Sequence, residues 1–310
     1  MNEVPAFDDP LLARLRAMER VERVDFGGGR VCWRRFGDAG PPLVLVHGGH
    51  GSWLHWARNV EDLATRYTVW APDLPGYGHS DEPPGSSVDA LVDATLRSLD
   101  TLVPKEQPLR LVGFSFGGLV AAHVAARRDG VSHLGLLGPA GHGGPRRPRG
   151  ELHAWRGLEP HSSEWNEVMR HNLLMHMLHD PAQVDALALH IHGNACLRTR
   201  FHSKTVSRKG GLSTLLERHR GKLLAAWGAH DVTLDPGFVM SSMSGRFNQP
   251  QLKEIAGAGH WVQFEAAKAV NELLLCWLEG GAVEGEFSAA VRTACAEQQA
   301  ALIHPPGVDP

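Results

Sequence analysis

The chain reads as an α/β protein: a doubly wound, mostly parallel sheet of eight strands with a helical cap inserted into it. Three observations predict this. Short apolar runs alternate with amphipathic helical patterns over most of residues 20–280, glycine-rich turns follow several of those runs, and a single long stretch, 141–212, breaks the alternation.

The elements follow in order. Val21 to Phe26 and Val31 to Phe36 are short strands joined through Gly27-Gly28-Gly29, a hairpin at the antiparallel edge of the sheet. Pro42 to His47 reads Pro-Leu-Val-Leu-Val-His, the continuous apolar run of a strand covered on both faces. Thr68 to Pro72, Leu109 to Phe114, Leu134 to Leu137, Leu223 to Trp227 and Leu252 to Ile255 repeat that character. Helical periodicity falls between them, at about 54–65, 88–103, 116–128, 236–247 and 264–279, so the connections are crossovers and the strands run parallel.

Residues 141–212 hold no strand-like run. Ser162 and Ser163 precede apolar Trp165, Val168, Met169 and Leu173, and Asp180-Pro181 precedes Val184, Leu187, Ala188 and Ile191, two capped amphipathic helices. The entrance, Gly141 to Gly150, has the Gly and Pro content of a hinge. The expected division is a core of 20–140 and 213–280, a helical cap of 141–212, and terminal extensions 1–19 and 281–310, the second with a helical pattern near 285–300.

Composition limits the function. At 310 residues and 43% hydrophobic content the chain can bury a large core. A formal charge of −3 leaves no electrostatic footprint for nucleic acid, and no run of 18 apolar residues could span a bilayer. The expected partner is a small molecule, with no nucleic acid and no membrane; monomer and dimer both stay open. Met1-Asn2-Glu3-Val4-Pro5 lacks the basic and apolar segments of a secretory signal, and Cys32, Cys196, Cys276 and Cys295 show no paired spacing. A reduced, cytoplasmic protein is expected.

The chemistry gathers at strand ends, where sites in such sheets lie. Gly113-Phe114-Ser115-Phe116-Gly117 lies where a strand turns sharply into a helix, the context in which Gly-x-Ser-x-Gly lifts a serine hydroxyl above the sheet as a nucleophile. Asp231 follows the seventh strand and His260 the eighth, so serine, acid and histidine stand in the order that hydrolytic triads on α/β sheets use. His260 can accept the serine proton near neutral pH, and a carboxylate on its other nitrogen fixes the tautomer. Asp235, four residues on, is the alternative acid. After the third strand, His47-Gly48-Gly49-His50-Gly51-Ser52 offers backbone N–H groups; that of Gly49, with His50 as competitor, would join that of Phe116 in an oxyanion hole. His50, Phe114 and Trp261, beside these residues, are the candidate substrate contacts.

These motifs, with Leu45-Val46-His47-Gly48-Gly49, Ala71-Pro72-Asp73-Leu74-Pro75-Gly76-Tyr77-Gly78-His79-Ser80 and Trp227-Gly228-Ala229-His230-Asp231, resemble the α/β-hydrolase superfamily over roughly residues 20–280. The resemblance implies a Ser-His-Asp hydrolase with a cap and no metal or organic cofactor. Serine in the elbow disfavours the aspartate-nucleophile members. Gly259-His260-Trp261-Val262-Gln263-Phe264-Glu265 is also similar to the histidine segment of the meta-cleavage carbon–carbon bond hydrolases. Those carry Asn before the nucleophile, where Phe114 stands here, and a cap arginine whose counterparts would be His192, Arg198 or Arg200. The expected activity is therefore hydrolysis of an ester or related acyl bond in a small, largely apolar substrate. Carbon–carbon bond hydrolysis is the alternative within the enzymes, and a non-catalytic small-molecule receptor on the same fold the alternative outside them.

The remaining signals have simpler readings. Nine histidines fall in the cap, but His171, His176 and His179 lack zinc-site spacing and read as solvated or lid-packing. Arg146, Arg147 and Arg149 read as a solvated hinge, with attraction of an anionic substrate as the alternative. Asp73 with His79 and Ser80 reads as a loop-shaping group, and His47 as structural.

Overall fold

The computed structural model describes residues 7–243, 247 and 250–281. Its eight strands are β1 (Arg20–Asp25), β2 (Arg30–Phe36), β3 (Pro42–Val46), β4 (Thr68–Asp73), β5 (Leu109–Phe114), β6 (Val131–Leu137), β7 (Lys222–Gly228) and β8 (Gln251–Ile255). They form one sheet in the order β1-β2-β4-β3-β5-β6-β7-β8. Strand β2 runs antiparallel to both its neighbours, and every other pairing is parallel. All five residues of central β3 are buried, whereas edge strand β8 buries only Ile255, as coverage on two faces and on one dictates.

The helices are α1 (Pro10–Met18), α2 (Val60–Ala64), α3 (Val88–Leu102), α4 (Phe116–Arg127), α5 (Ser163–His176), α6 (Ala186–Leu197), α7 (Lys204–Arg208), α8 (Leu212–Leu216), α9 (Pro236–Met243), α10 (Val262–Glu265) and α11 (Ala267–Leu278). On one face, Leu91 and Val92 of α3, Val120 of α4, Leu216 of α8 and Val239 of α9 close a core over the sheet. On the other, Leu12 and Leu15 of α1, Val60 of α2 and Leu273 of α11 do so, joined by Leu173 and Leu187 from α5 and α6. Helices α5 to α8 all lie between β6 and β7, in a segment without a strand.

Four expectations are corrected. Helix 54–65 is a 3-10 turn, Trp53–Trp56, followed by α2; between them Asn59 leaves the helical backbone and donates its amide to Gln263 O and Asn271 Oδ1. Helix 264–279 breaks at Ala266 (φ −114°, ψ 45°), so Phe264 stacks on Trp261 while α11 turns its own apolar face to the sheet. Residues 10–18, expected within a terminal extension, form α1, capped by the Asp9 carboxylate and buried through Leu12 and Leu15. Strand β6 begins at Val131, three residues before the apolar run that announced it. The end of the 236–247 helix and the pattern near 285–300 fall on or run into residues outside those described.

Candidate active site

Ser115 joins β5 to α4 with φ 54° and ψ −119°, a backbone that only an over-determined turn holds in a residue with a Cβ, at a cost of about 1–3 kcal/mol. The flanking glycines make it possible. A Cβ on Gly113 would collide with the Gly117 carbonyl, and one on Gly117 with the carbonyl of His47. The turn is held by Ser115 N donating to Leu137 O at 2.9 Å.

Three distant residues meet there. His260 Nε2 lies 2.9 Å from Ser115 Oγ, and His260 Nδ1 lies 2.9 Å from Asp231 Oδ2. Asp231 is fully buried and its other oxygen, Oδ1, accepts from Thr233 N and Thr233 Oγ1, both at 2.8 Å. Burial pushes the Asp231 carboxyl upward; the facing His260 and the hydrogen bonds from His260 and Thr233 outweigh this and hold it below its ordinary value. The carboxylate is thus charged and aimed at the imidazole. Asp235 does something else: its Oδ1 accepts from Phe238 N at the start of α9, a helix cap.

Phe116 opens α4, so its N–H has no acceptor within the helix and sits at the positive end of the helix dipole. Gly49 and His50 line the same cavity as Phe116 and Ser115. Gly49 faces Ser203 Oγ so closely that a Cβ would strike it, and His50 adopts φ 51°. The loop is pinned from behind. His47 Nε2 accepts from Leu74 N at 2.9 Å, the structural part expected of it, and His55 Nδ1 accepts from Gly48 N at 3.2 Å.

The cavity measures about 500 Å³, of a size that holds a small organic ligand. Phe114 and His50 line it as expected, but Trp261 does not. The Trp261 indole is fully buried beneath the loop, stacked on Phe264 with centroids 4.1 Å apart, and its N–H finds the His55 carbonyl at 3.1 Å. A buried indole N–H demands such a partner, and this one turns the ring away from the ligand space.

Four residues to which the sequence assigned no part in the site lie beside it. Thr233 braces Asp231, a role its Asp-x-Thr spacing could have signalled as an Asx turn. Gly138 (φ 50°) lies against the relay: a Cβ there would be 2.9 Å from Asp231 Oδ2 and 3.1 Å from His260 Nδ1. Glu265 takes Gly259 N on Oε2 and His179 N and Asp180 N on Oε1, tying the His260 loop to the segment after α5. His176, at the end of α5, has its ring centroid 5.7 Å from that of His260.

The histidines and arginines of 141–212 divide between the cavity and its surroundings. His142, His153, His176 and His192 line the cavity, the first and last two part-buried and His153 exposed. Arg146 and Arg149 line it too, while Arg147 turns back to the Ala229 carbonyl. Of the three counterparts of a carboxylate-binding cap arginine, His192 alone is in the cavity; Arg198 lies beside His79 and Arg200 reaches Ser80 O. Asp73 shapes its loop, as expected: burial raises its carboxyl, but Arg34 and hydrogen bonds from His79 hold it well below the carboxylate range. Among the described residues, no three His, Cys, Asp or Glu side chains are gathered as a metal would require, and no helix is long and apolar enough to cross a membrane.

A strained serine at a strand-to-helix turn, a histidine against it and a buried acid behind, on a sheet with this strand order, define a class. The chain belongs to the α/β-hydrolase fold family, whose model matches residues 41–267. It is 36% identical over 131 residues to the pimeloyl-[acyl-carrier protein] methyl ester esterase of Vibrio campbellii, 41% of this chain and 46% of that protein. The match thus spans less than half the length of that curated relative. Among solved structures it is similar to a bacterial membrane phospholipase A (TM-score 0.69, 25% identity, 87% of this chain and 91% of that one). It also shares its fold with a meta-cleavage product hydrolase of Pseudomonas fluorescens IP01 (TM-score 0.68, 23% identity, 83% and 97% covered).

Proposed function

We propose that the protein is a serine hydrolase that cleaves an ester or related acyl bond of a small substrate through an acyl-enzyme. In this reading His260 takes the Ser115 proton as Oγ attacks the carbonyl, and Asp231 holds the imidazole in the tautomer that can accept it. The N–H groups of Phe116 and Gly49 receive the oxyanion, each worth about 3–4 kcal/mol of transition-state stabilisation. His260 returns the proton to the departing alcohol; a water that it then activates attacks the acyl carbon, and the acid leaves with Ser115 restored. The helical segment 141–212 serves as the cap over this chemistry.

One observation carries the proposal: an unbroken hydrogen-bonded path from Asp231 through His260 to a serine held at positive φ. Family membership and the esterase name of a curated relative support it. Phe114 before the nucleophile, where the carbon–carbon bond hydrolases carry Asn, favours acyl cleavage. The buried thiols of Cys32 and Cys196 suit a reducing, cytoplasmic setting.

A fluorophosphonate probe and p-nitrophenyl esters test this. The probe is expected to label Ser115, and Ser115→Ala to lose labelling and about 10⁴-fold or more of turnover. Undiminished turnover in that variant would end the proposal.

A further inference from the structure

The cavity is chemically lopsided. Arg146, Arg149, Arg156, Lys204 and Arg208 stand exposed around it, and neither Asp nor Glu lines it at any point, in a chain whose overall charge is −3. They converge from three segments: the hinge, the loop before α5, and α7. Several arginines elsewhere are matched to acids, Arg34 with Asp73, Arg58 with Asp185, Arg127 with Asp89 and Arg128 with Asp100. Among the described residues, none of the five cations around the cavity has a carboxylate partner.

They also crowd one another. Partial burial, then Arg208 and, after the opposing pull of Asp231, Arg149 push Arg146 below its ordinary value. Burial, then Arg156 and Lys204 with His202 between them in effect, do the same to His50 beside Gly49. Like charges gathered without a carboxylate in contact are a cost to the free protein that an anion relieves, and a cleft lined by one sign of charge concentrates ligands of the other.

A second observation points the same way. The Nδ1 atoms of His176 and His192 are buried in the cavity wall without a hydrogen-bond partner. Burial, then His260, lowers His176 to about 3, and burial, then His50, lowers His192 to about 4, so both rings are neutral at ordinary pH. A neutral imidazole offers one N–H and one acceptor, fit for polar oxygens inside the cavity without adding charge there. With the apolar side chains of Phe114, Phe116, Leu152 and Met177 also lining the cavity, this polar wall and cationic surround describe a ligand with an apolar stem, a polar acyl group and an anionic end.

We propose that this cavity takes anionic acyl esters, whose terminal carboxylate or phosphate lies among Arg146, Arg149, Arg156, Lys204 and Arg208 while the ester carbonyl reaches Ser115. The word ester rests on the function proposed above; the anion site does not.

The test uses the full chain carrying Ser115→Ala, which binds without turning over, and three esters: p-nitrophenyl octanoate, p-nitrophenyl hydrogen octanedioate and p-nitrophenyl ω-phosphonooxyoctanoate. By calorimetry one or both charged esters are expected to bind about tenfold or more tighter than the uncharged one. The better of the two tells carboxylate from phosphate. Adding Arg146→Gln with Arg208→Gln is expected to bring that ratio close to unity, and about 0.5 M salt to narrow it. Equal affinity for charged and uncharged esters, or a preference that the two arginine changes leave intact, would overturn the inference. Failure of the nucleophile assignment shows separately, as wild-type protein that the fluorophosphonate does not label at Ser115.

Discussion

Gly138→Ala places one methyl group against the relay. Two costs add. At φ 50° an L-residue with a Cβ gives up about 1–2 kcal/mol, and the new carbon would lie 2.9 Å from Asp231 Oδ2 and 3.1 Å from His260 Nδ1, several tenths of an ångström inside ordinary contact. Asp231 is fully buried and braced by Thr233, so it yields only by moving the imidazole with it; overpacking of this kind costs about 1–3 kcal/mol more. A displacement near half an ångström in a hydrogen-bonded relay lowers kcat by about 10–10² while KM stays close to its original value. The control is Gly257→Ala, at φ 68° with nothing within 4 Å of the added carbon, which carries the backbone cost alone. Urea denaturation and p-nitrophenyl ester kinetics on both variants decide the matter. If Gly138→Ala keeps its kcat, or loses no more stability than Gly257→Ala, the methyl does not press on the relay and the reasoning fails.

Asp231→Asn keeps the shape but lets the imidazole adopt the wrong tautomer; kcat is expected to fall by about 10⁴, measured on the same esters. Glu265→Gln removes the charge that receives three backbone N–H groups, and is expected to lower stability by about 1.5 kcal/mol and kcat several-fold, read by denaturation and kinetics. Acid stability should depend on His192. Its folded value, about 4, is below the ordinary 6.5, so the unfolded chain binds the extra proton between them. Stability is therefore full above about 6.5 and falls with pH through that window, by up to about 1.4 kcal/mol per pH unit for this group. His192→Gln should flatten that part of the pH profile of unfolding free energy, and an unchanged slope would show that His192 is not buried in neutral form.

Much of the fold was legible because its strands are covered on both faces, which forces continuous apolar runs such as Pro42 to Val46. The positions of Ser115, Asp231 and His260 were legible for a related reason: each follows the carboxyl end of a strand, and chain order carries the topology. What stayed hidden depends on contacts between segments far apart in sequence. Trp261 adjoins His260, yet its direction is set by the carbonyl of His55. The breaks near Asn59 and at Ala266 belong to one packed corner, where Asn59 meets Gln263 and Asn271. Gly138 looks like any turn glycine until Asp231 and His260 are seen against it. Arg146 and Arg149 lie in a stretch whose composition speaks of solvent, and only the folded path of residues 141–160 brings them to the cavity.

Glu265 and the Trp261 backbone N–H, which donates to Met177 O at 2.7 Å, fasten the segment after α5 to the loop that bears His260. A shift of that segment would move the imidazole with it, so the distance between His260 and Ser115 depends on contacts made outside the cavity.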